Sequence, residues 1–206
     1  LSDVQYYEES LQRHGIDYLP GAAELGDFDP TSTTIALAPG GEQAHLPQDL
    51  LHGTFERYWR HFTGRRDGQL AWTDYTPYEW RNVGAFVRLG WRGRAVHAFD
   101  WLFDDRAPKA WNQWPEVVSR TPREPFFLGD LPHAWVGSDF VRAALDLFAF
   151  ERAHDDSLVL AAGVRPSWLE DGGVGIAGLR TASGPLAYRL RREGASLLLE
   201  IDDTGL

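Results

Sequence analysis

The chain has 206 residues, 43% of them apolar, enough to bury a sizeable core in one large domain or in one medium and one small one. A formal charge of −10 repels phosphate backbones, which excludes nucleic acid and anionic membranes as natural partners and favours a neutral or cationic ligand. Without cysteine, disulfides, thiolate chemistry and Cys-held metals are excluded as well.

The sequence opens mid-pattern at Leu1-Ser2-Asp3, as an excised piece of a longer protein would. Asp3 to His14 has helical spacing, with Val4, Tyr7 and Leu11 on one face, Ser2 or Asp3 as N-cap and Gly15 as stop. From Ile16 to Gly41, Pro20, Gly21, Gly26, Pro30, Pro39 and Gly40 break any long element, leaving a short helix at Ser32–Leu37. Helical spacing returns from Leu46 to Phe62 and stops at Thr63-Gly64. Glu79 to Leu89 and Arg92 to Phe103 read as a helical hairpin turning at Gly90.

Asp104 to His133 is irregular and proline-rich. The clearest helix follows, Ala134 to Arg152, with Trp135, Val136, Phe140, Val141, Ala144, Leu145 and Phe148 expected on its buried side. Beyond His154 the period falls to two. Strands are expected at Ser157–Ala162 and Val174–Ala177. A hairpin follows in which Leu186, Tyr188 and Leu190 face the core with Leu197, Leu199 and Ile201. The expected class is α+β, a helical part over residues 1–154 and a small antiparallel β-sheet or sandwich over 155–206 that packs on the helices. No apolar run approaches a membrane span, so a soluble protein is expected; its compartment stays open, with secretion or a periplasmic site both compatible.

The irregular stretches hold the candidate chemistry. In the first, Glu24, Asp27 and Asp29 crowd together; Asp29 either caps a helix or meets a ligand. In Tyr78-Glu79-Trp80, Glu79 suits a helix first turn through the dipole alone, or is a carboxylate flanked by aromatics at a helix mouth. The run Trp111-Asn112-Gln113-Trp114-Pro115-Glu116 combines indoles, amides and a carboxylate, the parts that stack on sugar rings and bind their hydroxyls. Asp130 either caps the long helix or contacts ligand. His133 lies near that helix's N-terminus, where the dipole disfavours a cation, and with no second His at ligand spacing it is not read as a metal ligand. No Gly-rich phosphate loop or ligand cluster implies a cofactor.

Through "ELGDFDPTSTTIAL", "YEWRNVGAF", "WNQWPE", "GDLPHAWVGSDFVRA" and the closing "GIAGLRTASGPLAYRLRREGASLLLEI", the chain resembles the carboxy-terminal part of six-hairpin glycosidases, glycoside hydrolases built as an (α/α)6 barrel with a short β-tail. The resemblance implies a partial (α/α)6 toroid-like array. It also implies a pocket for a neutral oligosaccharide or glycoside, and acid/base chemistry by paired carboxylates. It places Glu116 at the later carboxylate, the base, with Glu79 and Asp29 as second and third catalytic candidates. Trp111, Asn112, Gln113, Trp114, Tyr78, Trp80, Asp27, Asp130 and His133 would bind substrate. Such a barrel has twelve helices and roughly five long ones are legible here. The remaining N-terminal part of the parent is therefore an expected partner, and this piece is expected to be inactive alone. Two other readings stay open: a non-catalytic carbohydrate-binding or scaffold protein, and a helical interaction module with a β-cap.

Overall fold

Six α-helices and three small antiparallel sheets are formed by the described residues of the computed structural model, 3–121, 123, 124, 127 and 129–202. The class is mixed α+β. The helices are α1 (Asp3–His14), α2 (Pro30–Leu37), α3 (Gln48–Arg66), α4 (Trp80–Arg88), α5 (Arg92–Asp104) and α6 (Ala134–Phe148). The expected cap at Ser2, the side chains of Val4 and Tyr7, and Pro122 and Pro125 lie outside what is described.

Helix α4 packs against α2, α5 and α6. Phe86 of α4 meets Phe55, Tyr58 and Trp59 of α3, while Arg81, Gly84 and Arg88 turn to a cavity shared with α2 and α6. Phe62 of α3 meets Trp101 of α5 edge-on. Trp80, Phe55, Phe62 and Phe86 are fully buried in the core that these helices share. Burial of each such side chain contributes roughly 1.5–3 kcal/mol.

Two helix ends differ from expectation. Thr63-Gly64 does not stop α3; Thr63 sits inside the helix, its Oγ1 donating to Trp59 O. The helix runs on to Arg66 and ends at Gly68, whose φ of +71° suits glycine. At the other end of the chain, α6 stops at Phe148, four residues early, and Ala149–Arg152 form strand β3. No Gly or Pro marks the change. The terminal carbonyls find partners elsewhere: Phe148 O accepts from Ala161 N (2.7 Å) and Tyr188 Oη (2.7 Å), Leu147 O from Gly163 N (3.0 Å).

The strands are β1 (Asp74–Tyr75), β2 (Val118–Ser119), β3 (Ala149–Arg152), β4 (Ser157–Leu160), β5 (Val174–Thr181), β6 (Gly184–Glu193) and β7 (Ser196–Ile201). β1 pairs with β2 and β3 with β4, and β5-β6-β7 form a three-stranded sheet, all antiparallel. The β3–β4 hairpin spans the expected 154/155 boundary. Leu186 and Tyr188 of β6 bury against Ala149 of β3 with Phe148 at the end of α6 beside them, and Arg165, in the segment between β4 and β5, pairs with Asp100 of α5. Burial fails at β7: Leu197, Leu199 and Ile201 are exposed at a sheet edge rather than in a core. No helix among the described residues is long and apolar enough to cross a membrane.

Candidate functional site

Residues 114–116 and 130–133 lie side by side and bind each other through the backbone. Glu116 N donates to Asp130 O (2.9 Å) and His133 N to Trp114 O (2.7 Å). Asp130 N donates back to Glu116 Oε2 (3.0 Å), which holds one carboxylate oxygen and fixes the rotamer. Gly129, at φ +61°, is required here: a Cβ on it would fall 2.8 Å from Glu116. The β1–β2 pair anchors the same stretch to the segment that leads into α4.

Glu116, Asp130 and His133 consequently present polar atoms within 4.8 Å of one another. Beside them stand Tyr78, whose hydroxyl is 3.5 Å from His133 Nε2, and Trp135, whose ring is 5.6 Å from that of Tyr78. Arg81 lies over both rings, 5.0 Å and 5.6 Å from their centroids. Burial raises the Tyr78 hydroxyl above its ordinary pKa and the Glu116 charge adds to this, while Arg81 opposes it.

Setting metal ligation aside for want of a second His overlooked that the fold could bring two carboxylates to His133. The cluster nevertheless does not suit an ion. His133 is the N-cap of α6, its Nδ1 accepting from Val136 N (3.2 Å). In the neutral ring that bond takes the Nδ1 lone pair and leaves the proton on Nε2, so neither nitrogen keeps a lone pair for an ion.

Several expected site residues do not join this group. Glu79 turns toward α3, where both oxygens bind the Arg65 guanidinium (2.7 Å each) and Oε2 also accepts from Tyr58 Oη (2.7 Å). Arg65 is itself buried and lies over Tyr75 and Trp101, which makes this a closed structural pair rather than a proton donor to solvent. Trp80 is wholly buried against Phe99, Trp114 and Phe140, and Trp114 is 8% exposed in the same cluster; neither offers a face to a ligand. Asp29 caps α2, accepting from Thr31 N, Thr31 Oγ1, Ser32 N and Ser32 Oγ. Burial alone would raise its pKa, but the hydrogen bonds from Ser32 and Thr31 outweigh that and lower it. Asp27 is exposed and accepts from Ala22 N (2.8 Å), bracing its own loop. Trp111, Asn112 and Gln113 are exposed on the flank, with Asn112 Oδ1 accepting from Arg106 (3.2 Å).

The sequence reading missed a second feature. A cavity of about 300 Å³ opens between α2, α4 and α6, and Arg81 and Trp135 line it as well as bordering the Glu116 group. Across it Arg81 Nε donates to Asp139 (2.9 Å), and Arg88 grips Asp146 with both terminal nitrogens. Burial raises the Asp139 carboxyl, with Arg81 opposing. The available signal was the polar stripe Asp139, Arg142, Asp146, spaced three and four apart on α6, opposite Arg81 and Arg88 spaced seven apart on α4. Trp135, Val141 and Leu145, expected on the buried side of α6, are exposed instead, while Asp139 and Asp146 are buried. Compared with family models, curated proteins and solved structures, the chain matches none.

Proposed function

We propose that this chain supplies the saccharide-binding floor of a six-hairpin glycosidase-like protein, with Glu116 as the carboxylate that activates water. One observation carries the reading: Glu116, Asp130 and His133 converge within 4.8 Å beside the Tyr78–Trp135 aromatic pair. Asp130 N fixes one Glu116 oxygen and leaves the other to polarise a water or a hydroxyl. The His133 Nε2 proton and the Asp130 carboxylate bind hydroxyls on either side, and Trp135, 60% exposed, offers a ring face. The packing of α4 against α2, α5 and α6, with Phe62 of α3 against Trp101 of α5, supports the reading of a partial (α/α)6 array.

Titration of intrinsic Trp fluorescence with neutral mono- and oligosaccharides tests this. Saturable binding, abolished by Trp135→Ala and retained by Trp111→Ala, is expected. An unchanged affinity in Trp135→Ala contradicts the assignment. Turnover of an aryl glycoside by this chain contradicts its expected inactivity.

A non-catalytic sugar-binding role is the second reading, favoured by the closed Arg65–Glu79 pair. With Glu79 so engaged and Asp29 committed to its cap, neither remaining catalytic candidate stands ready as an acid opposite Glu116. Glu116→Gln in the parent protein separates the two: an enzyme loses turnover and keeps affinity, whereas a binder has no turnover to lose.

A further inference from the structure

We propose that the cavity between α2, α4 and α6 is an anion subsite in which Arg142 receives the carboxylate of an acidic sugar unit. The inference rests on the saccharide reading of the adjoining Glu116 site, with which the cavity shares Arg81 and Trp135.

The charge count across the cavity is uneven. Three guanidiniums, Arg81, Arg88 and Arg142, line it with two carboxylates, Asp139 and Asp146. Those carboxylates are already held, Asp139 by Arg81 and Asp146 bidentately by Arg88. Arg142 lies between them, half-buried, and makes no hydrogen bond or ion pair among the described residues. Its five N–H donors form a planar fork that a carboxylate fits with two parallel bonds. Burial lowers the Arg142 pKa; Asp146 and Asp139 attract its charge while Arg88 and Arg81 repel it, and an added anion would act with the two carboxylates.

An interleaved set of Arg and Asp is ordinary helix packing when the charges cancel. Here one cation is left over, in a chain that carries 30 acidic residues against 20 Lys and Arg. A local positive site on an acidic molecule selects for anions that reach it as part of something larger, since the general field repels free ones. The exposed Trp135 ring and the Ser138 hydroxyl at the rim suit a sugar body. The bulk charge thus favours a neutral ligand overall, while this cavity singles out one acidic unit within it.

The test titrates the full chain with matched methyl hexosides and methyl hexuronides and with inorganic phosphate, by calorimetry. The hexuronide is expected to bind about tenfold tighter than its neutral partner. Arg142→Gln should abolish that advantage without changing hexoside affinity, and Arg142→Lys should keep part of it through charge alone. Near-UV circular dichroism checks that each variant is folded; if Arg142→Gln is not, Arg142→Lys carries the comparison. Equal binding of the matched pair overturns the subsite and leaves the saccharide reading standing. Phosphate binding as tight as the hexuronide overturns the acidic-sugar assignment in favour of a general anion site. Absence of any saccharide binding overturns both readings together.

Discussion

Glu79 and Asp29 are carboxylates with defined partners, and each makes a prediction that separates a structural from a catalytic role. Glu79→Gln removes the charge facing a buried guanidinium and leaves Arg65 without its counter-ion. Loss of one partner of such a pair costs about 3 kcal/mol, so urea unfolding should show that loss while sugar affinity is unchanged. Unaltered stability with weakened ligand binding would return Glu79 to the site. For Asp29 the pH dependence has a definite sign. Its folded pKa lies below the ordinary 3.8, so its contribution is present above that value and is lost as pH falls through the folded one. Asp29→Ala should cost about 1 kcal/mol at pH 7, and the gap to the wild type should shrink as the pH falls below the ordinary carboxylate range. A gap that stays constant with pH would mean that the cap acts through shape rather than charge.

At the scale of elements, the close approach of α4 and α6 depends on Gly84. A Cβ there would fall 2.5 Å from Asp146 Oδ2. Alanine is favoured over glycine inside a helix by about 1 kcal/mol, so propensity and packing pull in opposite directions. Gly84→Ala should destabilise, because the Asp146 carboxylate cannot yield without releasing Arg88. A stabilised variant in thermal or urea unfolding would show that the helices separate freely. The same pair shows what was legible in the sequence. Helix positions followed from 3.6-residue spacing, and α4, whose stripe of Val83, Phe86 and Val87 is buried, agreed with its pattern. For α6 the pattern misled, because its apolar positions exceed what one neighbour can cover. Which of them are buried is decided by Arg81 and Arg88 reaching across from α4, and spacing along a single helix holds no information about that. The end of α6 was hidden for a related reason: distant Ala161, Gly163 and Tyr188 satisfy its last carbonyls in place of a local stop residue.

Across the whole molecule, the site assembles from segments far apart in sequence, around residues 78–81, 116 and 130–135. The Trp-rich composition of residues 111–116 drew attention to this loop, but not to which of its indoles is buried. Trp114 fills the core, and the ring that remains exposed beside Glu116 and His133 belongs to Trp135 on the next helix. Backbone pairing of 114–116 with 130–133 creates this arrangement, and no periodicity announces it. The central claim is that Glu116, Asp130, His133 and Trp135 together bind sugar. Its most direct measurement is calorimetric titration of the chain with a saccharide that quenches its Trp fluorescence, repeated on Trp135→Ala and on Trp114→Phe. The account predicts that Trp135→Ala weakens binding about tenfold or more, as loss of a stacking face would, and that Trp114→Phe leaves the dissociation constant within about twofold. Equal affinity in Trp135→Ala, with binding lost in Trp114→Phe, would contradict it and place the sugar elsewhere.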